Sequence, residues 1–469
     1  MSLIRRKLIG NRAFYMMVLG IVVPIIVQNA ITNFVSLLDN LMVGRVGTEQ
    51  MSGVAVANQL MFVFNLSIFG AISGAGIFTA QYHGAGNLEG VRASFRYKLY
   101  FAVFLGVAAT VLFACAGPQL ISLYLTDTSD PARAQNTLKY GLEYLHVMLM
   151  GLLPFAISQC YAGTLRETGE TTLPMIAGII AVMVNLLFNY LLIFGKAGFA
   201  PMGVRGAAYA TVLSRYVELA IILTATHMRS HIYKFAKGLY RTMRIPRGIV
   251  RDITIKGMPL LANELLWSMH VAMLSQIYSM RGLDVIAAAN ISSTVTNLFN
   301  VVFLSMGSAS AIIIGQSLGA NEVKKAKDDT WKLMFFSLLL SVCVCSVLAL
   351  VSHAIPQLYN TTAAVKTLAG RLILISALCM PMVSIANCSY FVMRSGGKTG
   401  ITFLFDCGFS WVVVVPLAYC LAHFTSMGIV PLYLCVQLTE FIKIVIAFFL
   451  IRSGIWVQNI VSGSRMKAA

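Results

Sequence analysis

The sequence predicts an all-α polytopic membrane protein with twelve transmembrane helices arranged as two six-helix lobes. Three observations predict this fold: an apolar composition, a series of long apolar segments, and an internal repeat. Of the 469 residues, 58% are hydrophobic and 11% are charged, whereas soluble proteins carry about 25% charged residues. A chain with so few charged side chains is expected to place much of its surface in lipid.

The apolar segments have the length of membrane helices, and Gly, Pro or charged residues separate them, which gives twelve candidate spans. They predict an N-terminal lobe with helices one to six (1–228), a basic cytoplasmic linker at the bilayer surface (229–251) and a C-terminal lobe with helices seven to twelve (252–469). Lys and Arg residues outside the spans are concentrated at both termini and in every second gap. The positive-inside rule therefore predicts cytoplasmic termini and accounts for the formal charge of +18 without a nucleic-acid partner.

The two halves of the sequence repeat each other. When Pro24 is aligned with Pro259, AQYHGAG at 80–86 falls on GQSLGAN at 315–321 without a gap. Internal repeats of this kind are frequent in secondary transporters. Because each half has an even number of spans, both halves start on the same side of the membrane. We therefore expect parallel repeats related by a pseudo-twofold axis along the membrane normal, with the substrate cavity between the lobes.

The first candidate functional residue is Asp39, which follows the apolar part of NFVSLLDNLMVGRVG at 33–47. A carboxylate in membrane hydrocarbon costs about 3 kcal/mol on insertion scales, and acids at such positions usually have a functional role. Asp39 borders a polar stripe on the first helix, whose members follow one another at spacings of four, three and four: Asn29, Asn33, Ser36 and Asn40. We expect this stripe to line a cavity or to face other helices.

The position of Asp39 allows two interpretations. Away from water the charged form is disfavoured, so this carboxyl group can take up a proton near neutral pH, or it can hold Na⁺ together with neighbouring amide oxygens. Alternatively, Asp39 lies at the outer membrane interface near Arg45. Residues 13–39 span about 39 Å as a helix, which exceeds the hydrocarbon core of about 30 Å.

Two amides of the fifth span are candidates for the same site. Asn185 and Asn189 are four residues apart, so they share one helix face, and Thr211 in the sixth span is a further candidate. Neither amide titrates, which leaves Asp39 as the one acid of this predicted cluster. A bound Na⁺ would have Asp39, Asn185 and Asn189 as ligands. Alternatively, the two amides only join helices through hydrogen bonds.

A second group of candidates opens the C-terminal lobe. Glu264 follows Pro259 by about one turn, and Asn263, Trp267 and His270 accompany it on the same helix. Glu264 is predicted to bind a proton, a sodium ion or a cationic substrate, and Trp267 is predicted to stack on a cation. His270 belongs to this site or is a packing histidine.

Further candidates lie in the later spans. Asp406, in FLFDCGFSW of the eleventh span, is predicted to line the cavity of the second lobe or to lie at the cytoplasmic end near Lys398. Asn290 and Asn297 of the eighth span are predicted to line the cavity or to join helices. Opposite charges three residues apart predict two internal ion pairs: Arg215 with Glu218, and Glu440 with Lys443.

A resemblance to a known family rests on five motifs taken in order: LLDNLMVGRVG (37–47) after Pro24, VNLLFNYLLIFG (184–195), MGVRGAAYAT (202–211), PLLANELLW (259–267) and GQSLGANEVKKAK (315–327). With these motifs, the twelve spans and the repeat, the chain resembles the multidrug and toxic compound extrusion (MATE) family over essentially its whole length. The resemblance implies export of amphipathic, often cationic small molecules in exchange for inward H⁺ or Na⁺. The lobes of such a protein alternate between outward-open and inward-open states.

The resemblance also implies roles for individual residues. Asp39 occupies the position of the family's coupling carboxylate, and Glu264 corresponds to the acid that the family commonly has in the seventh helix. One branch of the family has Asp where this chain has Asn189, so the proton site of that branch does not transfer directly. We expect a monomer in the plasma membrane of a prokaryote, with a small-molecule substrate and membrane lipid as partners and no cofactor beyond the coupling ion.

Three other functions are alternatives. A flippase for a lipid-linked saccharide, from the same superfamily, needs a strongly basic cavity to hold pyrophosphate, and the few intramembrane bases here mostly have nearby acids. A membrane-embedded enzyme is disfavoured because the sequence contains no H-E-x-x-H motif, no G-x-S-x-G elbow and no P-loop. The two-lobe repeat disfavours a passive channel.

Overall fold

The structure of the protein, a computed structural model, describes residues 8–124, 131–359 and 361–462. A few side chains within these ranges lie outside the description: Ser36, Leu37, Asn40, Leu41, Thr48, Pro131 and Leu283. Twelve long helices and no strand occur in the described ranges. The first half contains α1 (Arg12–Gly44), α2 (Thr48–Gly84), α3 (Leu88–Ser122), α4 (Pro131–Glu167), α5 (Thr172–Phe194) and α6 (Val204–Met228). The second half contains α7 (Arg247–Ser279), α8 (Leu283–Gly319), α9 (Val323–Val351), α10 (Ala363–Ser395), α11 (Thr399–Phe424) and α12 (Ile429–Ser453).

Eleven of these helices are long and apolar enough to cross a membrane, judged by length and composition over the described residues. The exception is α7, which has 33 residues but also carries the charged side chains of Arg251, Asp252, Lys256 and Glu264. About 20 apolar residues are enough to cross the hydrocarbon core, so its more polar composition rather than its length sets α7 apart. The predicted all-helical membrane fold is confirmed.

The helices form two compact units. The first unit consists of Val23–Thr79 and Asn87–Thr254, and the second consists of Met1–Val22, Ala80–Gly86 and Ile255–Ala469. The beginning of α1 and the end of α2 therefore belong to the second unit, although most of both helices belongs to the first. The sequence-based division into 1–228 and 252–469, and the axis relating the halves, stay predictions.

In the first unit, α4 packs against α3, α5 and α6, and α5 packs along α6. The close approach of α5 and α6 depends on Gly206, because a Cβ atom there would lie 2.7 Å from the carbonyl oxygen of Leu192. Between the helices, Gly195 adopts a left-handed conformation with φ of 65°, which glycine reaches without steric cost. This turn brings the polar side chains of α5 next to those of α6.

In the second unit, α10 packs against α8, α9 and α12. Helix α11 is irregular: it begins as an α-helix, passes through two π-helical stretches, Leu404–Gly408 and Ser410–Val414, and ends as Val415–Phe424. Short π-helical stretches inside α-helices are frequent at functional sites. Asp406 lies in the first of these stretches.

The connection between α6 and α7 is shorter than the predicted linker 229–251. Helix α7 begins at Arg247, so residues 247–251 are helical. Residues 229–246 consist mainly of turns, and four of their side chains are buried: Tyr233, Phe235, Ala236 and Leu239. The connection is thus a folded part of the first unit.

Candidate functional site

Four predicted site residues from three helices meet in the first unit, and we call this group the amide cluster: Asp39 of α1, Asn185 and Asn189 of α5, and Thr211 of α6. Asn189 Nδ2 donates to Asp39 Oδ1 at 2.5 Å. Both asparagines are buried, and Asp39 and Thr211 are half-buried. The sequence spacing placed the two asparagines on one face of α5, and that face meets α1 and α6.

The amide of Asn185 lies between Asp39 and Thr211. One of its terminal atoms is 3.0 Å from both carboxyl oxygens of Asp39, and the other is 3.2 Å from Thr211 Oγ1. Toward an ionised carboxylate the amide must present its nitrogen, because two acceptors would otherwise face each other. Toward a protonated carboxyl group or a bound cation it can present its oxygen. The best amide orientation therefore depends on what Asp39 carries.

The surroundings of the amide cluster fix α1 against its neighbours. Gln28 lies three helical turns before Asp39 on the same face of α1, and Arg166 Nη2 of α4 donates to its Oε1 at 2.8 Å.

Asn189 Oδ1 is buried and has no hydrogen-bond partner in the described structure. A buried acceptor without a donor is costly in an apolar environment. This oxygen is thus available to a proton donor or a cation.

The predicted polar stripe of α1 lies beside this face. Asn29 is half-buried and Asn33 is exposed, whereas the side chain of Ser36 lies outside the described part of the structure. In α8 the side chains of Asn290 and Asn297 are both exposed. None of the four asparagines in this paragraph is part of the amide cluster.

The second unit brings two predicted site residues, Asn263 and Asp406, together with Tyr390 and Lys443, and we call these four residues the ion-paired cluster. Lys443 Nζ of α12 is 2.7 Å from Asp406 Oδ1, and Asn263 Nδ2 of α7 donates to Asp406 Oδ2 at 3.0 Å. Asn263 Nδ2 is also 3.3 Å from the hydroxyl of Tyr390. Both carboxyl oxygens of Asp406 therefore have a donor.

Two of the remaining α7 candidates, Glu264 and His270, lie near this cluster. Glu264 and His270 are half-buried, and Trp267 is 41% exposed. Glu264 lies within the electrostatic influence of Arg394 and Asp406, and His270 within that of Lys443 and Asp406. His270 Nδ1 has no hydrogen-bond partner in the ranges described.

Sequence reasoning missed the nearer of the two acids that contact Lys443. The spacing of three residues predicted the Glu440–Lys443 pair, which is confirmed at 4.0 Å, but the nearer partner of Lys443 is Asp406 on another helix. In α6, Arg215 places its guanidinium 4.4 Å from the centroid of the Phe155 ring. Contacts between separate helices leave no spacing signal, so neither partner was visible from the sequence.

Two other missed residues did leave a signal in the repeat. RETGETT at 166–172 matches RSGGKTG at 394–400, which makes Arg166 and Arg394 equivalent. Each of these arginines lies at the end of its helix, and each is close to polar residues of its own unit. Gln28 corresponds to Asn263 when Pro24 is aligned with Pro259. Equivalent positions in the two halves thus carry polar side chains with different partners.

A cation bound at the amide cluster would have oxygen atoms as its ligands. Among the described residues, no group of three or more His, Cys, Asp and Glu side chains is placed to hold a metal ion. A sodium ion at the amide cluster would therefore depend on the carboxylate of Asp39 together with amide and hydroxyl oxygens. Such hard oxygen ligands suit an alkali cation better than a transition metal.

Comparison with known proteins gives a consistent result. The sequence profile of the MatE family matches residues 24–191 and 259–420, one stretch in each half of the chain. The "Probable multidrug resistance protein YoeA" of Bacillus subtilis is 24% identical over 412 residues, which cover 88% of this chain and 88% of that protein. The "Probable multidrug resistance protein NorM" of Thermotoga maritima is 25% identical over 438 residues, which cover 93% and 92%.

Solved structures share the fold. A crystal structure of "MATE in complex with MaL6" superimposes with a TM-score of 0.83 at 19% identity and covers 93% of this chain and 95% of its own. An "outward-facing conformation of a multidrug resistance MATE family transporter" gives a TM-score of 0.83 at 19% identity, with coverage of 93% and 94%. With its apolar helices, the chain is an integral membrane protein. The family match extends over more than half of its length, so the chain belongs to the multidrug and toxic compound extrusion (MATE) family.

Proposed function

We propose that this protein is an ion-coupled multidrug exporter, which expels amphipathic, cationic small molecules in exchange for H⁺ or Na⁺ by alternating access. Relatives over most of the chain are named multidrug resistance proteins, which supports the substrate class. The observation that carries the coupling role is the amide cluster, in which Asp39 is surrounded by polar side chains without a basic partner among them. A carboxyl group in such a site can change its charge state during a transport cycle.

The coupling step uses Asp39 and the two amides of α5. When Asp39 is ionised, Asn189 Nδ2 and the amide nitrogen of Asn185 both donate to it. When a proton or Na⁺ arrives, the oxygen of Asn185 turns toward Asp39 and accepts from the new proton or binds the cation. The buried Asn189 Oδ1, which lacks a donor in the described structure, supplies another oxygen for the loaded state. Loading thus changes hydrogen bonds that connect α1, α5 and α6.

Substrate binding is assigned to the α7 side of the second unit. Lys443 already compensates Asp406, so Glu264 is the acid of this region with capacity left for a cationic substrate. The exposed face of Trp267 can stack on a positively charged ring or ammonium group, which contributes about 0.5–1 kcal/mol at an exposed site. These two side chains lie on one helix and suit an amphipathic cation.

In the proposed cycle, the coupling ion binds Asp39 from outside and weakens substrate binding in the outward-open state. A coupling free energy of about 1–3 kcal/mol between the two sites is sufficient for antagonism. The ion then leaves on the cytoplasmic side, where substrate binds next. We propose a monomer in a prokaryotic plasma membrane, with cytoplasmic termini, no enzymatic activity and no cofactor.

The flippase alternative receives less support from the described structure. Buried bases have partners within their own unit: Arg166 donates to Gln28, Lys98 pairs with Glu167, and Lys443 pairs with Asp406. A site for pyrophosphate would need several bases free to contact the phosphate groups.

Efflux of a fluorescent cationic dye from proteoliposomes tests the proposal. A pH gradient and a Na⁺ gradient are imposed separately on the wild type, Asp39→Asn and Glu264→Gln. We expect Asp39→Asn to lose gradient-driven efflux roughly tenfold or more, within the range that such coupling free energies give. We expect Glu264→Gln to raise the KM for the dye while a gradient still drives transport.

Asp284→Asn is the matched control, because Asp284 is an exposed acid in the first turn of α8. It should transport like the wild type under both gradients. The gradient that drives the wild type identifies the coupling ion. Undiminished gradient-driven efflux by Asp39→Asn would show that the coupling site lies elsewhere.

A further inference from the structure

The segment between α6 and α7 carries a strongly basic surface, which we call the basic platform and define as residues 229–251. These residues include no Asp or Glu. All seven of their Lys and Arg side chains are exposed, six of them between 234 and 251: Arg229, Lys234, Lys237, Arg241, Arg244, Arg247 and Arg251. The apolar side chains buried in the same segment lie under this surface, so the segment has one face toward the protein and one face away from it.

A ladder of contacts from α3 holds the platform in place. Three α3 side chains, spaced one helical turn apart, donate to three platform carbonyl oxygens that are also four residues apart: Arg92 to Phe235 at 3.2 Å, Arg96 to Leu239 at 3.0 Å, and Tyr100 to Met243 at 3.2 Å. A second anchor comes from Tyr240, whose hydroxyl contacts Tyr161 of α4 and whose ring stacks on His227 of α6 at 5.7 Å. The backbone that carries the exposed bases is therefore fixed before any partner binds.

The ladder also indicates the depth of the platform. The three contacts extend along α3 from Arg92 to Tyr100, over about 12 Å of the helix axis at 1.5 Å per residue. Directly beyond Tyr100, α3 exposes large apolar side chains, including Phe104 at 64% and Val111 at 56%. Such a surface belongs in lipid hydrocarbon. The ladder consequently ends where the lipid-facing part of α3 begins, which places the platform at the level of the phospholipid headgroups.

The charge of the exposed face is not compensated within the platform. Glu89 of α3 pairs with Arg92 and Arg96 at 3.0 and 2.8 Å, so this acid serves the anchoring arginines rather than the exposed bases. Burial raises the pKa values of Tyr233 and Tyr240, so both phenols stay neutral at physiological pH. One exposed acid, Asp252, directly follows the segment, so most of the counter-charge for its seven bases must come from elsewhere.

We propose that the basic platform binds the headgroups of anionic phospholipids in the adjacent membrane leaflet. The phosphate groups lie at the level that the ladder gives to the platform, and six exposed bases along 234–251 can contact several headgroups at once. Juxtamembrane clusters of four to eight Lys and Arg residues are typical of anionic-lipid recognition. Because the backbone is already held by α3, little conformational freedom is lost when lipid binds.

Lipid titration of the full-length protein in detergent tests the proposal. Fluorescence anisotropy of labelled phosphatidylglycerol reports binding, with labelled phosphatidylcholine as the zwitterionic comparison. We expect saturable binding of phosphatidylglycerol that weakens as NaCl rises. In the variant K234Q/K237Q/R241Q/R244Q we expect affinity to fall about fivefold for each charge removed, with an unchanged unfolding temperature in lipid-free detergent.

The matched control removes four exposed bases elsewhere in the described structure: K139Q/K196Q/K324Q/R371Q. This variant should retain wild-type affinity for phosphatidylglycerol. Equal losses in both variants would mean a general effect of net charge and would overturn the proposal. Full competition by millimolar inorganic phosphate would also overturn it, because the platform would then be a site for a free anion.

Discussion

The amide cluster and the ion-paired cluster each surround an acid with polar side chains from neighbouring helices, but they differ in what balances the charge. Asp39 has amides and a hydroxyl around it, whereas Asp406 has the ammonium group of Lys443 at 2.7 Å. The second acid thus has a counter-ion within the protein. Under the proposed function, the first acid instead receives its counter-charge from the coupling ion, so one site would change its charge during transport and the other would not.

The repeat shows how the positions of Asp39 and Glu264 are related. Under the alignment of Pro24 with Pro259, Glu264 falls on Asn29 and Asp39 falls on Leu274. Asp39 and Glu264 therefore do not occupy equivalent positions in the two halves. The two acids thus lie at different points along the equivalent helices α1 and α7, and the proposed function assigns ion coupling to one and substrate binding to the other.

The largest effect on stability is expected from Lys443→Met. It removes the counter-ion of the half-buried Asp406, and breaking a buried pair by removing one partner costs about 3–5 kcal/mol. The measurement is thermal unfolding of the purified protein in detergent. The double variant Asp406→Asn/Lys443→Met should be closer to the wild type than Lys443→Met alone. If the double variant loses as much as the two single variants together, the pair is not the source of the effect.

An intermediate effect is expected from Asn189→Leu in the amide cluster. Leucine has the same branched shape and number of heavy atoms but removes the donor to Asp39 and the contact with Asn185, and interhelical hydrogen bonds in membranes each contribute about 0.6–2 kcal/mol. Unfolding temperature and dye efflux are measured on the same preparation. We expect a moderate loss of stability with a marked loss of coupled transport. Wild-type coupling in this variant would remove Asn189 from the proposed mechanism.

The smallest effect on stability is expected from Asp39→Asn, even though its effect on transport is expected to be large. The new amide can still accept from Asn189 and Asn185, so the change should stay within about 1 kcal/mol. This outcome would separate the two clusters, since one would matter mainly for transport and the other mainly for folding. A loss as large as that of Lys443→Met would mean that Asp39 is primarily a structural residue.

The sequence predicted most of the fold because membrane helices are recognisable from their composition and length. It also grouped Asn185 with Asn189 correctly, since residues four apart share a face whatever the tertiary structure. The contact of Asp406 with Lys443 joins α11 to α12, and pairing between helices depends on packing that no spacing encodes. The linker was predicted as a plain basic connection because its buried side chains are few and have no regular period.

The two π-helical stretches of α11 have a consequence for how the chain is compared with its relatives. A π-helical turn accommodates extra residues without lengthening the helix, and each extra residue rotates the remainder of the helix by about 100° relative to a regular α-helix. Trp411 lies in the second stretch and donates from Nε1 to the carbonyl oxygen of Leu266 at 3.2 Å. In a relative whose eleventh helix is regular, the residue aligned with Trp411 would point in another direction. A gap-free alignment with such a relative would pair residues that lie on different faces of the helix.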